Sequence, residues 1–232
     1  MTEQPKNFGF GEDETMLKDS AAKFFADNCS ADKIHSQVAE DPNIHRSIEC
    51  IWDKGLWQQI TELGWTAACV PEEAGGLGMP LVAAVAIAEE AGKAAFPSPL
   101  ISTMIASFVL KECHSDAATK ALGDVASGVP MTLAVTNKLG SWEPSDTDVA
   151  AAGTTLNGTA YFVQDAQKCD QFIVSATTPK GVALFLVDAN AAGVSITPDG
   201  IIDLTRDQAH VEFKNVEAIE LAAPGTGEDS LA

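Results

Sequence analysis

Apolar residues change their spacing along this chain near residue 130. Up to about Gly128 they recur three or four positions apart, which is the spacing of one buried helix face. Beyond Pro130 they occur in short runs rich in β-branched and aromatic side chains, which are typical of strands. The pattern predicts an α+β fold: an N-terminal all-helical domain at residues 1–128, followed by an antiparallel β-barrel or sandwich domain at residues 129–217.

The two patterns also predict individual elements. Helices are expected at 13–28, after Ser47, at 56–63, 81–94 and 100–111, and from Ser115 to Val125. Strands are expected at 131–135, 154–156, 160–163, 172–176, 182–187, 194–196 and 209–213. Asn157-Gly158 is a strong signal for a type I′ turn, so we predict a hairpin between the second and third of these runs.

The charge balance restricts the classes of partner. The 232 residues include 33 acidic and 14 basic ones, which gives a formal net charge of −19. Nucleic acid and anionic membranes are not expected as partners, because both need clustered Lys and Arg. An anionic ligand would need a site made locally positive by backbone N–H groups and a few basic residues.

Cysteines, histidines and the first residues bear on metal binding and location. The five cysteines form no CxxC pair, and neither they nor the four scattered histidines have the spacing of metal ligands, so no metal site is predicted. Met1 to Phe10 lack the basic start and apolar run of a signal peptide, and no apolar stretch is long enough for a bilayer. We expect a cytoplasmic protein with reduced thiols.

The most distinctive segment is Val-Pro-Glu-Glu-Ala-Gly-Gly-Leu-Gly at residues 70–78. Three glycines within four residues, entered through a proline, are not the interior of a helix or strand, so the segment predicts a compact turn between two helices. A glycine run alone is a weak signal. Here it follows Leu-Gly-Trp at 63–65 and precedes a helical pattern that ends in Glu-Glu-Ala-Gly at 89–92.

This series closely resembles the N-terminal domain of the acyl-CoA dehydrogenase family in order, spacing and local composition. The later half is similar to the middle domain of that family. The segments that carry this similarity are Leu-Ala-Val-Thr-Asn-Lys-Leu-Gly-Ser-Trp at 133–142, Leu-Asn-Gly-Thr-Ala-Tyr-Phe-Val-Gln-Asp at 156–165, and the runs at 182–188, 193–194, 203–206 and 211–216. The resemblance covers about residues 13–217. It implies FAD as cofactor, an acyl-CoA substrate, an electron-transfer flavoprotein or similar acceptor, and a homo- or hetero-oligomer.

The resemblance implies four site residues. Thr136 would face the pyrimidine edge of the flavin, where a backbone N–H and a hydroxyl can donate to a carbonyl oxygen. Phe162 stands where the family has a Trp beside the isoalloxazine, and Gln164 where a Ser or Thr bonds the flavin near N5. Ser141 matches the serine that helps to hold the CoA portion.

Some positions depart from the family pattern. Asn137 replaces a Glu, Trp142 an Asp and Ala160 a Lys. The segments Ala-Phe-Pro-Ser-Pro-Leu at 95–100, Gly-Ser-Trp at 140–142, Gln-Asp-Ala-x-x-Cys-Asp at 164–170 and Asp-Leu-Thr-Arg at 203–206 resemble the bacterial branch that acts on bulky acyl-CoA thioesters, including steroid side chains. Members of that branch often work as two unlike chains, of which one has a complete active site.

The catalytic base is not assigned by the sequence. Full members of the family continue into a C-terminal helical bundle that carries the catalytic glutamate, and residues 218–232 form a tail leading to where that missing bundle would begin. Glu89 and Glu90 are expected to face solvent or join a charge network instead of replacing that base.

The sequence leaves two functions open within this family. The first is FAD-dependent α,β-dehydrogenation of an acyl-CoA thioester, by a fragment or subunit of the enzyme. The second is a non-catalytic partner subunit of a heteromeric acyl-CoA dehydrogenase. A binding module unrelated to this family is a third and less favoured reading.

Overall fold

A computed structural model of the protein describes residues 10–38 and 52–231. Helices occupy the first part of the chain, as the spacing of apolar residues predicts. They are α1 Glu12–Asn28, α2 Ala31–Val38, α3 Lys54–Glu62, α4 Leu81–Lys93, α5 Leu100–Glu112 and α6 Asp116–Ala126. The hydroxyl of Ser115 accepts a hydrogen bond from the N–H of Ala118 and caps α6 as predicted. Helix α2 was not predicted, and the helix expected after Ser47 lies outside the described residues.

Strands form the second part. They are β1 Met131–Ala134, β2 Val149–Ala152, β3 Thr155–Gln164, β4 Gln171–Thr178, β5 Gly181–Asp188, β6 Val194–Pro198, β7 Gln208–Glu217 and β8 Ile219–Ala222. Their order in the sheet is β6-β7-β3-β2-β4-β5-β8, with β1 paired to β4. The sheet is mostly antiparallel and open, so the closed-barrel form of the prediction is wrong. Two pairings, β1 with β4 and β2 with β4, are parallel.

The predicted hairpin at Asn157-Gly158 is also wrong. Both residues lie inside the continuous strand β3, and the turn precedes that strand at Gly153, whose φ is 64°. The amide oxygen of Asn157 accepts from the N–H of Asn215, where β7 has one extra residue. Gly158 is required for a different reason, because a Cβ there would lie 2.2 Å from the carbonyl oxygen of Asp148. Asn157 and Gly158 thus allow β3 to lie close to its neighbouring strands, and they do not form a turn.

Three apolar clusters form the core. One lies within the sheet and one within the helices, where Phe25, Trp57 and Trp65 are buried. The third joins the two parts, because Leu110 and Leu122 of α5 and α6 pack with Ile173 and Leu184 of β4 and β5 and their neighbours. Because α5 and α6 rest on the sheet, a change in these helices can reach the strands. No described helix has the length and apolar character needed to cross a membrane.

The glycine-rich segment forms the compact turn that was predicted. A single 3₁₀ turn at Glu72–Ala74 is followed by Gly75 in the left-handed region at φ 85°. Gly76 lies against the chain that enters the turn, and a Cβ there would overlap the carbonyl of Val70, whose oxygen also accepts from the N–H of Gly78. The glycines therefore fold the turn onto its own backbone.

The close approach at Gly158 gives a test of the sheet. Gly158→Ala should lower the free energy of unfolding by about 3 kcal/mol, since the new Cβ would meet the backbone and φ is 134°. Gly153→Ala is the matched control, with φ 64° and no atom within 4 Å of the new Cβ, and should cost about 1 kcal/mol. Urea unfolding measures both, and equal losses would contradict this account of β2 and β3.

Candidate functional site

The candidate site is built on a bulge near the end of β3. Tyr161 and Phe162 together stand opposite the single residue His210 of β7. The bulge gives Phe162 a φ of 54°, which costs a non-glycine residue about 1–3 kcal/mol unless its surroundings hold it. The ring of Phe162 is 41% exposed, whereas Val163 beside it is buried. An aromatic face is thereby turned to the surface by a strained backbone.

Thr136 meets this bulge from the end of β1. The N–H of Tyr161 donates to the carbonyl oxygen of Thr136 at 2.9 Å. Thr136 is only 5% exposed, yet neither its hydroxyl nor its N–H donates to any described protein atom. Two partly enclosed donors without a protein partner are costly unless a ligand or water accepts from them. We call Thr136, Tyr161, Phe162 and Gln164 the bulge corner.

Gln164 and Ser141 lie at the edges of this corner. The side-chain amide of Gln164 donates to the carbonyl oxygen of Phe162 at 3.2 Å, and the residue is exposed. The hydroxyl of Ser141 donates to the carboxylate of Asp146 at 2.7 Å. Both predicted residues therefore have a protein partner already. Gly140 beside Ser141 brings its loop to about 4.0 Å from the Phe162 ring, measured from a Cβ built on Gly140.

Asn137 organises the loop that carries Ser141. Its side-chain oxygen accepts from the N–H groups of Leu139 and Ser141, each at 2.9 Å, and its amide donates to the carbonyl oxygen of Asp146 at 3.1 Å. Only an amide of this length can accept and donate in this way. The role was missed from the sequence, where Asn137 appeared only as a departure from Glu. An Asn three residues before a turn glycine is the signal that could have indicated it.

A buried ion cluster lies behind the corner. The ammonium of Lys168, whose side chain is 1% exposed, lies 2.9 Å from Asp165 Oδ1 and 3.0 Å from Asp207 Oδ1. The second oxygen of Asp165 accepts from the hydroxyl of Ser102 on α5 at 2.6 Å. The N–H of Asp165 continues the ladder by donating to the carbonyl of Asp207. The cluster thus fixes the chain one residue beyond Gln164.

Burial and neighbouring charge set the ionisation of this cluster. Burial raises the pKa of Asp165, although Lys168 and the Ser102 hydroxyl act in the opposite direction. Burial alone would lower the pKa of Lys168, but the charges of Asp165 and Asp207 outweigh it and raise that pKa. Burial also raises the pKa of Cys169, well above that of a free thiol. Cys169 is therefore a poor candidate for a nucleophile.

Glu89 and Glu90 belong to a charge network between α1 and α4, as expected. Glu89 lies 2.6 Å from Lys18 and 3.1 Å from Lys93, and Glu90 lies 2.8 Å from Lys93. Hydrogen bonds from Lys18 and Lys93 lower the pKa of Glu89. A general base needs a carboxylate within reach of the substrate carbon, and these two carboxylates face lysines instead, so we assign that role to neither. Among the residues that the structure describes, we identify no catalytic base.

Two other features lie outside this site. The described histidines, cysteines and acidic residues form no group of three or more that could hold a metal ion. A surface pocket of about 200 Å³ is lined by Pro71, Ala74, Lys111 and His114 among others, on the helical part. It contains none of the predicted site residues and is smaller than ordinary sites for cofactor-sized ligands.

Comparison with known proteins identifies the family. The description "Acyl-CoA dehydrogenase, N-terminal domain" matches residues 11–129, just over half of the chain. "Acyl-CoA dehydrogenase IpdE2" of Mycobacterium tuberculosis is 30% identical over 118 residues, covering 50% of this chain and 34% of that protein. The chain belongs to the acyl-CoA dehydrogenase family.

Solved structures share the fold over nearly the whole chain. A variant of the Tcur3481-Tcur3483 steroid acyl-CoA dehydrogenase matches 95% of this chain and 59% of its own, with a TM-score of 0.79 and 25% identity. The ChsE4-ChsE5 complex of Mycobacterium tuberculosis matches 97% of this chain and 60% of its own, with a TM-score of 0.80 and 23% identity. This chain therefore spans one to two thirds of the length of these relatives.

The ion cluster makes a stability prediction. Lys168→Met leaves the carboxylates of Asp165 and Asp207 without their cation and should lower the free energy of unfolding by about 3–5 kcal/mol at neutral pH. In the wild-type chain burial raises the pKa of Asp165 and Lys168 opposes this, so removal of Lys168 raises that pKa further, and the folded variant takes up a proton there at a higher pH than the folded wild type or the unfolded chain. The deficit of the variant should therefore shrink as the pH falls toward the usual range of an aspartate.

Lys120→Met is the matched control for this variant. Lys120 pairs with Asp124 at 3.0 Å but is 78% exposed, so its loss should cost less than about 1 kcal/mol. Denaturant unfolding between neutral and acidic pH compares the two variants. Equal deficits at neutral pH, or a Lys168→Met deficit that grows on acidification, would contradict the proposed burial of charge.

Proposed function

We propose that the bulge corner binds the isoalloxazine of FAD and that the chain is part of an acyl-CoA dehydrogenase. The observation that carries the proposal is the pair of unpartnered donors on Thr136 beside the exposed ring of Phe162. A flavin fits both features, because its pyrimidine edge carries carbonyl acceptors and its ring system stacks on aromatic faces. Membership of the family supports this choice of cofactor.

The donors of Thr136 also explain how a strongly acidic chain could bind an anionic cofactor. The chain carries a formal net charge of −19, which repels an anionic cofactor at long range. The N–H and hydroxyl of Thr136 are neutral donors and attract an acceptor without any basic residue. Gln164 adds an exposed amide at the rim, which can exchange its bond to Phe162 for one to the flavin.

The proposed substrate is a bulky acyl-CoA thioester. When bound, FAD would accept the β-hydrogen of the acyl group as a hydride, and an electron-transfer flavoprotein or similar acceptor would reoxidise it. This chain would supply the wall behind the flavin and the loop of Ser141. That hydroxyl donates to Asp146 and accepts from the N–H of Glu143 at 3.2 Å, so one lone pair remains for the CoA portion, which suits an amide N–H of the pantetheine arm. The steroid acyl-CoA dehydrogenase among the structural relatives supports the bulky class.

A non-catalytic partner subunit is the second candidate. One observation bears on it: Glu89 and Glu90, the two carboxylates considered for the base, are held by lysines. In this case the chain completes the pocket of another chain, which brings the glutamate. The ChsE4-ChsE5 structure, a complex of two named chains, supports this form of assembly. Both candidates use the bulge corner in the same way.

Flavin binding tests the proposal directly. Phe162→Ala removes the aromatic face and Thr136→Val removes a donor without changing shape, so each should weaken FAD binding by about tenfold. Thr177→Val is the control, because its hydroxyl bonds the carbonyl of Val149 within the sheet. Titration of FAD fluorescence measures the affinities. Unchanged affinity in both corner variants would remove the corner from the flavin site.

Activity tests both candidate functions against the alternative that a carboxylate of this chain acts as the base. The 232-residue chain supplied with FAD should not oxidise a bulky acyl-CoA, because α-proton removal needs a carboxylate within reach of that carbon. Activity should appear when a chain bearing the family's C-terminal bundle is added. Reduction of an artificial electron acceptor measures turnover, with Glu89→Gln and Glu90→Gln as comparison variants. Steady turnover by the chain alone, abolished in either variant, would overturn this assignment.

A further inference from the structure

Two adjacent hydroxyls on α5 hold the two strands that meet at the bulge corner. The hydroxyl of Ser102 donates to Asp165, the residue directly after β3, at 2.6 Å. The hydroxyl of Thr103 donates to the carbonyl oxygen of Met131, the first residue of β1, at 3.2 Å, and accepts from the N–H of the same residue at 3.1 Å. Ser102 is 9% exposed and Thr103 is fully buried, so water cannot replace these bonds.

The hydrogen bonds of Ser102 and Thr103 affect the bulge corner because they hold β3 and β1, the two strands that meet there. β1 runs from Met131 toward Thr136, and β3 ends at Gln164, so the corner lies at the ends of both strands. There the N–H of Tyr161 donates to the carbonyl oxygen of Thr136 and joins the two strands. A strained bulge keeps its conformation only when both of its ends are fixed. Helix α5 fixes both, since it bonds to one strand before the corner and to the other after it.

We propose that Ser102 and Thr103 are positioning residues for the flavin, so that helix α5 sets the geometry of the bulge corner without touching the cofactor. This rests on the proposed function for its ligand but not for its geometry. Asp165 transmits the contact of Ser102, because the same carboxylate is held by Lys168 and the Asp165 backbone closes the ladder to Asp207. Thr103 acts through the start of β1. Loss of either hydroxyl frees one strand end and lets the bulge relax.

A matched set of variants separates positioning from simple loss of stability. Ser102→Ala and Thr103→Val each remove one of the two hydroxyls, and Thr103→Ser retains it. Ser107→Ala is the control on the same helix, since Ser107 is 4% exposed and its hydroxyl donates only to Met104 O of its own helix. Ser102→Ala, Thr103→Val and Ser107→Ala should each lower the unfolding temperature modestly, and Thr103→Ser should not. Only Ser102→Ala and Thr103→Val should change the geometry of the bulge corner.

Two measurements report on the corner. Ser102→Ala and Thr103→Val should raise the FAD dissociation constant by about three- to tenfold, the factor that one hydrogen bond supplies, and change the visible circular dichroism of bound flavin. In the flavin-free protein, hydrogen exchange of the Tyr161 amide should be about tenfold faster in both variants. Thr103→Ser and Ser107→Ala should keep wild-type values in both measurements.

The outcomes distinguish this proposal from the proposed function. If wild-type chain binds no FAD but Tyr161 exchange responds as described, the flavin assignment fails and the role of α5 in holding the corner stands. If Ser102→Ala and Thr103→Val leave flavin affinity and Tyr161 exchange unchanged, or if Ser107→Ala alters them equally, the proposal is overturned. Ser102→Ala decides the question alone if Thr103→Val does not fold.

Discussion

The site depends on one constraint, the two-against-one bulge at the end of β3. A regular β3 would pair Tyr161 with β7, leave Thr136 without its bond to Tyr161, and turn Phe162 to a different face. The bulge instead gives Phe162 a φ of 54° and sends the N–H of Tyr161 across to Thr136. The strain at Phe162 is offset by three sets of interactions: the hydrogen bonds between β3 and β7, the buried ion pairs of Lys168, and the hydrogen bonds from the hydroxyls of α5.

Charge is distributed so that the corner itself stays neutral. Lys168 lies close behind it, but its ammonium is buried and held by the carboxylates of Asp165 and Asp207, so it is not presented to a ligand. Lys18 and Lys93 are occupied by Glu89 and Glu90 in the same way. Recognition at the corner therefore relies on dipolar donors and an aromatic face. This fits a ligand that offers a flat ring and carbonyl oxygens, even in a strongly acidic chain.

The sequence predicts the local elements well and the long-range pairings poorly. The change of apolar spacing near residue 130 places five of the six described helices and the strands β1, β4, β5, β6 and β7. Asn157-Gly158 misleads because its local preference for a turn gives way to tertiary context, in which Gly158 admits the backbone of Asp148. β2 and β8 are four residues each, and their short Ala-containing runs carry no strand signal. The open form of the sheet and the parallel pairings of β1 and β2 with β4 depend on contacts between residues far apart in the sequence, which local patterns do not predict.

The same limit applies to the site. Thr136 and Phe162 come from family resemblance, and the hydrogen bond that joins Thr136 to Tyr161, beside Phe162, depends on a bulge whose partner residue, His210, lies on another strand. The burial of Lys168 is unexpected for a lysine in a polar segment, and only the folded chain brings Asp207 to Lys168 and Ser102 to Asp165. Asn137 shows the opposite case, because its turn chemistry is local and was available in the sequence. Resemblance thus predicts the site residues, and the structure shows how they are arranged.

The most direct test of the central claim is a titration of isotope-labelled chain with FAD, followed through backbone amide signals by NMR. Our account predicts that the amides of Thr136, Tyr161 and Phe162 shift together and saturate at one dissociation constant, with the Thr136 amide moving toward a hydrogen-bonded position. Signals from Glu89 and Lys93 should not move. Shifts confined to the helical part, or saturable binding that leaves the Thr136 amide unchanged, would contradict the account.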